Sequence, residues 1–131
     1  EGSVDAPLLR LSDRSGWRMT VSERGQSAAT DWRVLGASAN TAWLEMRPHT
    51  GRTHQVRVHL THIGCPVVGD PVYGRRRTGA GIPPEMATFP RQALHAAVLE
   101  FRHPGLKKVM KFASELPHDF TTLLASLNGV K

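Results

Sequence analysis

Apolar positions along this chain recur with short periods that predict a run of strands, one polar-flanked helix and a terminal helix. Residues 1–16 are polar and punctuated by Pro7 and Gly16, with no element predicted there. Trp17 to Val21 reads as a short strand. Ser22-Glu23-Arg24-Gly25 reads as a hairpin turn with Gly25 at the left-handed position. Ala28 to Leu35 and Thr41 to Met46 read as strands around a small-residue turn from Gly36 to Asn40, so that a meander leads into the next segment. There Val56, Leu60 and Ile63 fall at i, i+4, i+7, the stripe of a short amphipathic helix, with His54 and Arg57 together on its less apolar side. Val56, Val58 and Leu60 also alternate, which would suit a strand; Ile63 extends the helical stripe and decides for helix, and Gly64-Cys65-Pro66 ends it. Such a helix aims its first-turn N–H groups and positive dipole end at any anion beyond Thr50-Gly51.

The stretch from Arg75 to Pro90 holds two Gly, three Pro and three consecutive arginines, and reads as a long mobile loop that clamps a polyanion through Arg75, Arg76 and Arg77. Leu94 to Phe101 and Lys108 to Phe112 read as strands around a turn at His103-Pro104-Gly105. Pro117 to Leu127 reads as a terminal helix, with Pro117 in its first turn and Phe120, Leu123, Leu124 and Leu127 at i, i+3, i+4, i+7. The fold class is α+β: a mainly antiparallel mixed sheet with the Arg-rich helix and the terminal helix packed on it. At 131 residues the chain is one domain or part of one. It begins Glu1-Gly2-Ser3 rather than Met, which predicts a processed start or a piece of a longer protein.

Charge narrows the partners. Seventeen Lys and Arg against eleven Asp and Glu leave +6, a surplus suited to a polyanion. Between Arg47 and Arg77 there are six arginines and one acid, Asp70. The single cysteine, Cys65, excludes an intramolecular disulfide framework and fits a reducing cytoplasm. No apolar run approaches membrane-spanning length.

The densest chemistry lies in Thr50-Gly51-Arg52-Thr53-His54-Gln55-Val56-Arg57-Val58-His59-Leu60, followed by Ile63-Gly64-Cys65-Pro66-Val67-Val68-Gly69-Asp70-Pro71-Val72-Tyr73-Gly74. These runs resemble the RluA family of RNA pseudouridine synthases. Arg91-Gln92-Ala93-Leu94-His95-Ala96, Leu99, Phe101, His103-Pro104 and Leu116-Pro117-His118-Asp119-Phe120 resemble that family's closing segments, in order, and the likeness runs from about Met19 to the C-terminus. The resemblance implies isomerisation of a uridine in ribosomal or transfer RNA, in the cytoplasm, with no cofactor or metal. It implies that residues 1–131 are the C-terminal portion of the catalytic domain. By the same resemblance Arg57 is the catalytic partner that orients an aspartate nucleophile and Leu94 is the hydrophobic wall of the base pocket. Arg52, His54, Gln55, Tyr73, Arg75, Arg76 and Arg77 are implied RNA contacts, with His54 and Gln55 also able to serve only as holders of the helix entry.

The family's nucleophilic aspartate sits in an Arg-Leu-Asp motif, and its active-site tyrosine also lies upstream. Arg10-Leu11-Ser12-Asp13 matches that motif poorly, because Ser12 interrupts it and it lies too close to Gly51. The nucleophile is therefore expected outside this chain, and the chain alone is expected to be inactive. Two rivals come from other classes. His54, His59, His62 and Cys65 contain i, i+3 steps that would suit a zinc site, although no carboxylate sits among them as a base. A non-catalytic RNA-binding domain is the other.

Overall fold

The structure, a computed structural model, describes residues 1–38, 40–74 and 84–126. Arg75, Arg76 and Arg77, and Leu127 of the terminal stripe, lie outside the described residues. The elements run β1 (Gly2–Asp5), β2 (Leu8–Asp13), β3 (Gly16–Val21), β4 (Ala29–Ala37), β5 (Ala42–Pro48), α1 (Gln55–His62), α2 (Pro84–Ala87), β6 (Val98–Arg102), β7 (Val109–Ala113) and α3 (His118–Ser126). The class is α+β, and every pairing is antiparallel. The strands divide among three sheets rather than one: β1-β4-β5, the hairpin β2-β3 and the hairpin β6-β7.

The first sixteen residues depart most from the sequence reading, because they form two strands and the turn into a third. The signal was present: Val4, Ala6 and Leu8 alternate, and all three are buried. Pro7 does not break the ladder. Ala6 N–H donates to the Ala28 carbonyl (3.1 Å), and Leu8 exchanges backbone hydrogen bonds with Gln26 (2.9 and 2.8 Å). The turn at Ser22 to Gly25 forms, with Gly25 N–H donating to Ser22 O at 2.9 Å. It does not join a meander, since β3 folds back on β2 while β4 lies between β1 and β5. Gly25 is also not left-handed. Glycine is required there for a different reason: a Cβ would overlap the Leu8 backbone.

A small core of Leu8, Met19, Ala28 and Val58, with Val21 and Tyr73 against it, locks the β2-β3 hairpin to α1. The buried side of α1 is not the expected stripe. Gln55, Arg57, Val58, His59 and Leu60 face inward, whereas Ile63 is 39% exposed. Apolar periodicity misplaced the helix because three of its five buried residues are polar and find partners inside the protein.

Beyond α1, the chain passes Val67 to Gly74 and, past the undescribed residues, returns so that Ala93 N–H donates to Val68 O (2.8 Å). Gly69 has φ +76°, and a Cβ there would collide with the Arg91 carbonyl, so only glycine lets the two segments touch. Arg91 is held in turn by a two-pronged pair with Asp119 of α3 (2.9 and 2.8 Å). Phe120 and Leu123 are the buried residues of α3. The β6-β7 hairpin differs from the rest. Val98, Leu99, Phe101, Val109 and Phe112 are 41–60% exposed. Leu99, Phe101 and Phe112 share one open apolar face, whereas Val98 and Val109 share the other with Glu100, Arg102 and Lys111.

Candidate active site

The entry to α1 is built by one glutamine. The Gln55 side-chain oxygen accepts from the Thr50 hydroxyl (2.7 Å) and from the Arg52 N–H (3.1 Å). Its amide nitrogen donates to Ala29 O (3.0 Å) and to the Thr30 hydroxyl (2.9 Å). A primary amide has two donors and two acceptor lone pairs, so the group is saturated. The Thr30 hydroxyl in turn lies 2.8 Å from His59 Nδ1, and His59 Nε2 donates to Ala6 O (2.8 Å). A carbonyl can only accept, so Nε2 of His59 carries a proton. Thr30 and His59 are fully buried. Strand β4, the start of the chain and the loop before α1 are thereby tied to the helix. Gln55 is 4% exposed with all four hydrogen-bonding positions used inside the protein, which accords with the alternative that it holds the helix entry. Gln55→Leu keeps the bulk and strips four hydrogen bonds. It is expected to cost about 1–3 kcal/mol in urea unfolding, because the partners lie too deep for water to replace it easily. An unchanged midpoint would mean the network adds nothing beyond packing.

Two residues further, Arg57 meets Asp70. Arg57 Nε donates to Asp70 Oδ2 and Nη2 to Oδ1, both at 2.8 Å, with the Arg57 side chain 10% exposed and that of Asp70 0%. Oδ1 also accepts the N–H groups of Val72 (2.9 Å) and Tyr73 (3.1 Å), so Asp70 closes the turn after Gly69 as well as neutralising Arg57. Burial pushes the Asp70 carboxyl up; the Arg57 guanidinium and the two N–H groups outweigh it and hold the carboxyl below its ordinary value. The Arg57 guanidinium lies 5.0 Å from the centre of the Tyr73 ring.

His54 completes the cluster. It precedes α1 in a left-handed conformation (φ 55°), which turns its ring toward Tyr73. His54 Nδ1 lies 2.9 Å from the Tyr73 hydroxyl, which accepts the Met19 N–H at 3.0 Å. Burial and the nearby Arg57 charge lower the His54 pKa. A neutral His54 accepting the Tyr73 proton satisfies all three groups. Trp17 of β3 stacks on the other side of His54 (5.2 Å, 19°), and Arg10 of β2 lies 4.3 Å over Trp17.

Arg57, named from the sequence as catalytic, and His54 and Tyr73, named as RNA contacts, are thus brought together. Arg52 braces the loop, its Nε donating to Ser27 O at 2.9 Å. Leu94 is half-buried and sits just past the contact of Ala93 with Val68, two residues before Asp70. The sequence marked Asp70 only as the one acid among six arginines, and its pairing with Arg57 was missed. Trp17 and Arg10 were missed because they lie far from the motif in sequence. The histidines of the zinc reading face different partners: His59 is committed to Thr30 and Ala6, and His54 to Tyr73. Among the described residues no three His, Cys, Asp or Glu side chains cluster. No helix among them is long and apolar enough to cross a membrane.

The RNA pseudouridylate synthase family matches residues 1–62. Ribosomal large subunit pseudouridine synthase D of Zymomonas mobilis is 43% identical over 97% of this chain and 40% of its own length. The protein of that name from Pseudomonas aeruginosa is 43% identical over 96% of this chain and 41% of its own length. The solved structure of human RNA pseudouridylate synthase domain containing 4 superposes with TM-score 0.70 at 27% identity, over 95% of this chain and 55% of that one. The likeness therefore begins near residue 1, earlier than the motifs suggested. The chain spans about 40% of the length of these curated relatives.

Proposed function

The chain belongs to the RluA-type RNA pseudouridine synthases, and on that footing we propose that it is the C-terminal portion of a catalytic domain that isomerises uridine to pseudouridine in ribosomal or transfer RNA. The reaction breaks the N1–C1′ bond, turns the uracil and makes a C5–C1′ bond. Atoms and electrons balance without a second substrate. A carboxylate nucleophile supplied from outside residues 1–131 attacks, and it must stay ionised while buried.

The observation that supports this reading is the fixed fork of Arg57. A guanidinium carries five N–H donors, and Asp70 takes two from one edge. Three N–H groups remain on a cation whose position Asp70 and Tyr73 have set. A second carboxylate meeting that edge would be held ionised and oriented, as an adjacent Arg does for a desolvated acid. Asp70 would then be the positioning residue for Arg57, and Leu94, beside the Asp70 turn, an apolar wall for the base. Arg52 and His54, on the loop that Gln55 holds, and Tyr73, hydrogen-bonded to His54, would contact RNA; Arg75, Arg76 and Arg77, which follow Gly74 in sequence, would add three cations.

The test is a map of pseudouridine in ribosomal and transfer RNA from a strain lacking the parent gene. One or a few sites should lose modification and regain it with the intact gene but not with an Arg57→Ala gene. A map identical to the wild type would sink the proposal.

A further inference from the structure

The β2-β3 hairpin carries a surface that the Arg57 site does not use. Its inner face runs from the core at Leu8, Val21 and Met19 out to Arg10 and Trp17, since residues two apart share a face and Arg10 pairs with Met19, Ser12 with Trp17. Trp17 is 47% exposed. Arg10, Trp17, His54, Tyr73 and Arg57 form one continuous ladder of cation and ring contacts, with spacings of 4.3, 5.2, 5.6 and 5.0 Å. The inner end of that ladder is the buried Arg57; the outer end is open. Between Leu8 and Val21 there are three arginines and one acid, Asp13, whose carboxylate is occupied by the N–H and hydroxyl of Ser15.

Resting on the function proposed above, we propose that Trp17, backed by His54, is a stacking platform for an unpaired RNA base beside the target uridine, with Arg10 moving from the ring to the RNA backbone when that base arrives. A scattered surface tryptophan needs no explanation. This one is pre-stacked on a histidine that the fold holds in a strained backbone conformation, so its ring is presented without a loss of freedom on binding. Its cover is a surface cation, and an exposed cation–π contact is worth only about two- to five-fold in affinity. Base–aromatic stacking is worth about 5- to 150-fold, so a base displaces Arg10, and the freed guanidinium finds a phosphate. Stacking also explains the location: a uridine turned out of its helix leaves a neighbouring base without a partner, next to the site that receives the target.

The experiment measures binding of residues 1–131 to a ten-nucleotide oligouridylate and to a ten-base-pair RNA duplex across a salt series. Trp17→Ala should weaken single-strand binding about 5- to 100-fold and duplex binding less than about two-fold, with an unchanged salt slope. Trp17→Phe should keep most of the affinity, which guards against a folding artefact. Arg10→Gln should lower the salt slope on the single strand by about one phosphate's worth. Equal losses on both RNAs, or loss with Trp17→Phe as large as with Trp17→Ala, would overturn the platform while leaving the function intact. Unchanged RNA affinity in Trp17→Ala would also overturn it and give Trp17 to a protein partner. A wild-type chain that binds neither RNA would overturn the platform and leave the function to the pseudouridine map.

Discussion

Arg57→Ala should cost this chain about 3–5 kcal/mol of stability and cost the parent enzyme at least about 100-fold in turnover, the largest effects of any single substitution here. The stability loss follows from Asp70, whose side chain is 0% exposed and would be left as a buried charge without its cation. Proton linkage gives a signature for it. In the wild type the Asp70 carboxyl lies below its ordinary value, so the pair's contribution is fully present above about pH 4, where an unfolded carboxyl ionises, and is lost as pH falls through the lower folded value. Without Arg57, its lowering influence is gone and burial is opposed only by the Val72 and Tyr73 N–H groups. The acid limb of the stability–pH curve should therefore flatten or reverse in Arg57→Ala, read by urea unfolding between about pH 3 and 6.

Turnover separates the catalytic role from the structural one. Arg57→Lys keeps a charge but cannot fork, and should recover part of both losses. Asp70→Asn leaves Arg57 charged and still offers an oxygen to the Val72 and Tyr73 N–H groups. If Arg57 acts on the nucleophile through its outer edge, Asp70→Asn should lose stability yet keep much more turnover per folded molecule than Arg57→Ala. Equal turnover losses in the two would reduce Arg57 to half of a structural pair. Lost RNA affinity with turnover kept would reassign it to phosphate binding and move the catalytic role to Arg52.

The strand order after Trp17, α1, the turn at His103 and α3 were legible because their residues act locally: period, glycine and proline punctuation, and a first-turn proline. The grouping of His54, Arg57 and Tyr73 was legible only through motif resemblance. What stayed hidden depends on partners distant in sequence. Nothing local to Gln55 or His59 says that Ala29, Thr30 and Ala6 will satisfy them, so the apolar stripe was followed to the wrong face of α1. Nothing local to Asp70 shows that it will hold Arg57, thirteen residues back. Gly25 was correctly marked as special but for a turn conformation, when the cause is the Leu8 backbone pressed against it. The alternation of Val4, Ala6 and Leu8 was readable, and Pro7 between them masked it.

Residues 1–131 alone should form no detectable pseudouridine on RNA that the parent modifies. The carboxylates near the site are spoken for. Asp70 gives both oxygens to Arg57, Val72 and Tyr73. Asp13, the one that resembles a nucleophile motif, sits at the exposed tip of the β2-β3 hairpin bound to Ser15, whose hydrogen bonds hold its carboxyl below the ordinary value and make it a poorer nucleophile. Arg57 cannot substitute, since a guanidinium has no free lone pair. The assay incubates the chain with RNA from the parent-deletion strain and maps pseudouridine. Restored modification would show that the nucleophile lies within these residues. Asp13→Asn would then abolish it if the hairpin carboxylate were the nucleophile, and Asp70→Asn if the Arg57 partner itself attacked the uridine.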